Sequence, residues 1–200
     1  MISENENDDW ILRPKVGLGK IHFGMHRELI HQFTGYGGVL ASRGNEAMPA
    51  DEAASFLNSL GFSTDTVTAA VDAHVKSARP ATLIETHSTG VVFEYELNKL
   101  SEIMATNKAI HITYRSKRIF EEDPRKMIET IKLNLEEDPL IFEQEVIFPL
   151  NCIYLFEFLC QNENNRNIVS EGKKSDRTII WRSKPRVGGA DLSDYRPLVF

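Results

Sequence analysis

Three histidines fall within ten residues, His22, His26 and His31, in the stretch "VGLGKIHFGMHRELIHQF" (residues 16–33), which also holds Gly17, Gly19 and Gly24. Imidazoles serve as metal ligands and general bases, and glycine-rich turns before a helix can cradle a phosphate. The spacing supports neither use. "HFGMH" lacks the glutamate of a helical zinc-protease motif and carries a glycine inside it. His26 and His31 are five apart, which places them on different sides of a helix. No second cluster of ligand types accompanies them, so neither a metal nor a cofactor is expected. A dinucleotide loop of the G-x-G-x-x-G kind would need its third glycine where His22 stands, and no Gly-Lys-Ser/Thr occurs. The glycines are therefore expected to serve a tight turn and close backbone packing. His74, on the apolar stripe of a helix, reads as a packed residue with one hydrogen bond. His111 in "AIHITY" should face outward on a strand, opposite Ile110 and Ile112.

Nucleophilic catalysis requires an activated Ser or Cys with a base and an orienting group. The chain has no G-x-S-x-G elbow, and its two cysteines, Cys152 and Cys160, lie in the apolar run "NCIYLFEFLC". Such surroundings raise a thiol pKa, and two buried thiols make no disulfide framework. No catalytic residue, and no enzymatic activity, is expected. Carboxylates are the more suggestive groups. "EEDP" occurs twice and brackets one predicted helix, with Glu121, Glu122 and Asp123 at its start and Glu136, Glu137 and Asp138 at its end. The first cluster suits the positive N-terminus. The second opposes the dipole at roughly 0.3–1 kcal/mol per group, a local conflict that can mark a surface kept for binding. Glu143 and Glu145 alternate with apolar neighbours and would extend the acidic surface along a strand.

Around these residues the chain reads as α+β. After a polar start, "WILRPKVGLGKIHFG" is extended, and "MHRELIHQFTG" has a helical stripe of Met25, Leu29, Ile30 and Phe33 with Gly35 as its stop. "YGGVLASRGNEAMP" reads as a loop, rich in glycine with Pro49 near its end. "ADEAASFLNSLG" and "STDTVTAAVDAHVKSARP" follow as helices. Gly61 ends the first, Ser63 or Thr64 caps the second, and Val67, Ala70, Val71, His74 and Ala78 form its stripe before Pro80. Residues 45–80 are thus a helical insert in a strand-rich chain. "ATLIETH", "GVVFEYE" and "LNKLSEIMA" (turning at Asn98-Lys99), "KAIHITYRSKRIF", two strands split near Pro149, and "DRTIIWRS" read as strands. "EEDPRKMIETIKLNL" is a helix with Asp123 as N-cap, Pro124 at its first position, and a buried stripe of Met127, Ile128, Ile131 and Leu135. Residues 185–200 hold too much Gly and Pro for regular structure. Short turns between strands favour antiparallel pairing. The expected architecture is one domain over residues 1–200, a curved antiparallel sheet with helices packed on one face.

Composition narrows the class. With 200 residues and 42% hydrophobic content, the chain can bury a real core. No apolar run approaches the roughly 20 residues of a membrane span, and the acidic start "MISENENDDW" is unlike a signal peptide. A cytoplasmic protein without a membrane partner is expected. The net charge of −6 is uneven: residues 161–200 hold eight Lys/Arg against five Asp/Glu, a net of +3, leaving −9 on the first 160. An acidic body argues against nucleic acid, whose phosphates need basic residues, and favours a basic protein partner.

"VGLGKIHFGMHRELIHQFTG" resembles a recurrent opening of small bacterial proteins, G-x-G-x-I-x-F-G-M-[ST]-x-x-E, many of which look like immunity proteins of polymorphic toxin systems. Gly17, Gly19, Ile21, Phe23, Gly24, Met25 and Glu28 match, while His26 stands where Ser or Thr is usual. The later order, "GVVFEYELNKLSEIMA", then "RSKRIFEEDPRKMIETIKL", then "VIFPLNCIYLFEF", is also similar, but residues 45–80 have no counterpart. A similar opening occurs in outer-membrane assembly lipoproteins, whose lipobox cysteine and export signal are missing here. The resemblance implies a protein that binds and neutralises a cognate toxin domain by occlusion and charge complementarity. The expected partner is a toxin domain with a basic surface, met by Glu121, Glu122, Asp123, Glu136, Glu137, Asp138, Glu143 and Glu145. The alternative is a small-ligand-binding protein or enzyme whose site leaves no motif.

Overall fold

The computed structural model describes residues 8–45, 50–77, 82–162, 169–185 and 192–199, without the side chains of 45 and 73–77. His74, Ala78, Pro49 and Pro80 of the expected insert, and most of the acidic start, lie outside this set. The chain begins with three two-residue strands, β1 (Leu12–Arg13), β2 (Gly17–Leu18) and β3 (Ile21–His22), and the short helix α1 (Arg27–Ile30). Strand β4 (Val39–Asn45) leads to helices α2 (Ala50–Ser59) and α3 (Thr64–Ser77), and β5 (Thr82–His87) returns. Then come β6 (Val91–Glu96), β7 (Lys99–Thr106), the small hairpin β8 (Thr113–Tyr114) and β9 (Lys117–Arg118), and helix α4 (Pro124–Leu135). The last strands are β10 (Leu140–Phe142), β11 (Glu145–Phe148), β12 (Ile153–Phe156), β13 (Leu159–Gln161), β14 (Val169–Glu171), β15 (Thr178–Arg182) and β16 (Arg196–Pro197).

Nine strands form one antiparallel sheet in the order β16-β10-β11-β12-β15-β7-β6-β5-β4, so the architecture is α+β. Period-two alternation divides its faces. Val91, Phe93 and Tyr95 of β6, Ile103 and Ala105 of β7, Ile179 and Trp181 of β15, and Val146 and Phe148 of β11 all enter one hydrophobic cluster. The cover over that face comes from β1–β3 (Leu12, Leu18, Ile21), α1 (Ile30) and α4 (Met127, Ile128, Ile131). The opening motif is therefore the lid of the core. Trp181 Nε1 donates to the Gly17 carbonyl at 3.0 Å, tying lid to sheet across 164 residues, and a Cβ on Gly17 would lie 1.9 Å from the Ile21 carbonyl oxygen. A glycine is required there for close approach.

Local chemistry explains the clearest elements. In α4, Asp123 accepts from Lys126 N at 3.0 Å and Pro124 sits in the first turn, while Met127, Ile128 and Ile131 are buried, with Leu135 packed at the edge of the core. At the end of α2, Phe62 N bonds Leu57 O, Gly61 N bonds Asn58 O, and Gly61 has φ of +82°, the Schellman arrangement. Ser63 Oγ accepts from Thr66 N at the start of α3. The helical pair is thus an insertion in the β4–β5 hairpin.

Several expectations are corrected. Residues 36–49 are not wholly a loop, because 39–45 form β4 at the edge of the sheet. The helix expected after Met25 lasts only four residues, and Leu29 is exposed. The stripe on α3 buries Val67 but leaves Ala70 exposed. The turn after β6 falls at Leu97-Asn98, both with positive φ, one residue earlier than read, which is the two-residue turn that strand twist prefers. "KAIHITYRSKRIF" is not one strand. It turns back at Arg115-Ser116, again both at positive φ, to make β8–β9. His111 consequently sits in a turn with its ring 5.6 Å from that of Trp10, and Ile110 is exposed while Ile112 is buried. The segment around Pro149 gives four strands, not two. In the tail, Arg196–Pro197 pair with β10. Among the described residues no helix is long and apolar enough to cross a membrane.

Candidate functional site

The eight candidate carboxylates do not share one surface. Glu121, Glu122 and Asp123 lie at the start of α4 and Glu136, Glu137 and Asp138 at its end, separated by twelve helical residues, about 18 Å of axis. Each has local duties. Glu121 pairs with Arg118 at 3.0 Å, Glu122 accepts from Asp123 N, and Asp123 caps the helix. Glu136 takes the left-handed position that ends α4, with φ of +52°. Asp138 is exposed and pairs with Lys132 at 2.6 Å.

Glu137 corrects the sequence reading. It is only 6% exposed. Its Oε1 accepts from Leu150 N at 2.5 Å, and its Oε2 from Asn151 N at 3.1 Å and Asn151 Nδ2 at 2.8 Å. This buried carboxylate ties down the exposed turn between β11 and β12, so it is no surface contact, and its place after a helix C-terminus has a structural return.

Glu143 and Glu145 are brought to a cleft. In the hairpin of β10 and β11, Ile141 and Val146 point to the core, which turns Phe142 and Glu145 to the opposite face. Phe142 is the cross-strand partner of Glu145, and Glu145 that of Phe156 on β12, so the three form a row across three strands. The turn at residues 192–195 folds over that row. Tyr195 donates its hydroxyl to Glu145 Oε2, and its ring lies 5.5 Å from that of Phe142. The result is a cleft of about 340 Å³ lined by Phe142, Glu143, Gln144, Glu145, Phe156, Asp194 and Tyr195. Burial, then the bond to Glu145 and the charges of Glu145 and Glu143, push the Tyr195 hydroxyl well above its ordinary pKa. Carboxylates beside aromatic faces suit a cation, a guanidinium or ammonium group above all.

A second polar constellation lies outside the sequence-predicted set. Glu85 of β5 is fully buried. From α1, Arg27 Nε donates to its Oε1 at 2.6 Å, and His31 Nε2 lies 2.8 Å from its Oε2. Burial raises the carboxyl, but the bonds and charges of His31 and Arg27 outweigh that and hold its pKa below the ordinary value. The Tyr95 hydroxyl lies beside it, and burial, the Glu85 charge and a hydrogen bond to Glu85 push its pKa up. Arg27 and His31 are one turn apart on one helix face, and they meet a carboxylate 58 and 54 residues away. The one sequence signal was a glutamate in phase with Leu83 on an inward-facing strand. The arrangement ties α1 to strand β5 and so anchors the helix.

His22 and His26 are exposed and do not join His31. Among the described residues no three His, Cys, Asp or Glu side chains are placed to hold a metal ion. Cys152 is buried, and burial raises its thiol. Cys160 is pushed up to about 11 by burial and by Glu157. Comparison of the chain with protein families, with curated proteins and with solved structures gives no match.

Proposed function

We propose that this chain is an immunity protein that binds a cognate toxin domain and blocks it by occlusion, using the cleft at Phe142, Glu143, Glu145, Asp194 and Tyr195 to seat a basic side chain of the toxin. The observation that carries the reading is the convergence of three carboxylates and three aromatic rings on one small, open cleft. Such a cleft gives a lysine or arginine both a counter-charge and a flat face. The −9 carried by residues 1–160 supplies the longer-range attraction that speeds encounter with a basic surface. No turnover is involved. A cytoplasmic location follows from the same reading, since the toxin must be met where it acts.

The test is co-expression with the C-terminal domain of a toxin encoded by the neighbouring upstream gene. The wild-type chain should restore growth, and the Glu143→Gln/Asp194→Asn variant should protect at a lower level. Absence of protection by the wild-type chain would refute the assignment.

A further inference from the structure

The opposite edge of the sheet has no role in that cleft. Among the described residues, strand β4 ends the nine-stranded order and pairs with β5 alone. Every described side chain from 38 to 44 is exposed, so neither face of this strand is packed. Among the described residues, no backbone bond reaches it from the open side. Leu40, at the bulge in the β4–β5 register, is 71% exposed. The helical pair inserted after β4 adds Phe56 (56% exposed), Leu60 (58%) and Phe62 to the uncovered apolar residues. Helix α2 buries no side chain at all.

We propose that β4 pairs antiparallel with β4 of a second copy about a two-fold axis at Ser42, joining the two nine-stranded sheets into one. A row of backbone N–H and C=O groups open along a sheet edge is a template for another extended strand, and this sequence suits itself. About Ser42, Ala41 falls opposite Arg43 of the other copy and Leu40 opposite Gly44, so no like charges meet. The bulge lies to one side of the central residues 41–43. Antiparallel pairing also sets the C-terminal end of each β4, from which the helical pair leaves, beside the N-terminal end of the other. Phe56, Leu60 and Phe62 of one copy are thereby brought toward Val39 and Leu40 of its mate. Those five side chains expose roughly 500 Å² per copy, and with the strand edge the total approaches the roughly 1,200–2,000 Å² of a stable interface. A two-fold interface requires such reciprocal matching of two patches.

Sedimentation equilibrium from about 5 to 100 μM, together with a thermal melt, tests this. The wild-type chain should reach twice its 22.7 kDa mass. Phe56→Ser/Leu60→Ser, at exposed positions, should keep the monomer fold and weaken association at least tenfold. Of Ala41→Pro and Ser42→Pro, the one whose N–H faces outward should give a monomer that melts like a chain with an intact β4–β5 ladder. A wild-type chain that stays monomeric at 100 μM, or a dimer indifferent to the helical double variant, would overturn the proposal.

Discussion

At the residue scale, two buried carboxylates do opposite things to the reading of charge in this sequence. Glu137 belongs to an acidic run, yet it is consumed by three hydrogen bonds to residues 150 and 151. Removing it takes the acceptor from the Leu150 and Asn151 N–H groups, and charge-assisted bonds of this kind are worth about 1.5–3 kcal/mol each in context. Glu137→Ala should therefore destabilise the fold by about 2–4 kcal/mol, whereas Glu136→Ala and Asp138→Ala should each stay within about 1 kcal/mol. Urea denaturation of the three variants checks this, and equal midpoints would show that the turn does not depend on Glu137. Glu85 shows the limit of spacing arguments. Its partners Arg27 and His31 stand one helical turn apart, and nothing in a linear pattern connects them to a strand more than fifty residues on.

At the scale of elements, the Glu85 anchor holds a helix too short to stand alone. Four residues of α1 cannot repay helix nucleation in isolation, so its place over the sheet depends on Ile30 and on the ion pairs. The folded-state pKa of Glu85 is lowered from 4.5. Its pairing therefore contributes stability that is fully present above 4.5 and is lost as pH falls through the lower folded-state value. Glu85→Gln should cost roughly 3 kcal/mol at pH 7 by leaving Arg27 without its counter-charge, and should flatten the fall of stability with acid below pH 4.5. Melting curves from pH 3 to pH 7 supply the comparison, and identical acid profiles for wild type and variant would refute the anchor. The elements that were legible share a cause. Helix α4 has its cap, its proline and its stripe because one face is buried, and β15 reads as a continuous apolar run because both of its faces are. Strand β4 escaped because it buries neither face, so "VLASRGN" has no alternation to display. The β8–β9 hairpin escaped because Arg115 and Ser116 adopt positive φ without the glycine or asparagine that normally announces such a turn.

On the scale of the whole molecule, the sheet separates two kinds of surface. One face and its lid form the core, to which the opening motif belongs, and this is why a resemblance carried by that motif concerns fold more than function. The cleft of Phe142, Glu145 and Tyr195 lies on the other face, near one end of the strand order. The edge of β4 lies at the other end. The sequence marks Glu143 and Glu145 as an acidic surface along a strand, but only Glu145 lies on one; Glu143 sits in the β10–β11 turn with φ of +50°. Asp194 and Tyr195 were not legible, because they come from a Gly- and Pro-rich tail whose turn is fixed by pairing of Arg196–Pro197 with β10. On the proposed function, this cleft, rather than the acidic ends of α4, receives a basic group of the partner. Stopped-flow association with the toxin domain, at about 20 and 500 mM salt, tests it most directly. Glu143→Gln/Asp194→Asn should slow association at least about tenfold at low salt and less at high salt, while Glu136→Gln/Asp138→Asn, with the same charge removed, should change it by no more than about twofold. Equal slowing by the two pairs would reduce the effect to overall charge, and slowing by the α4 pair alone would contradict the claim.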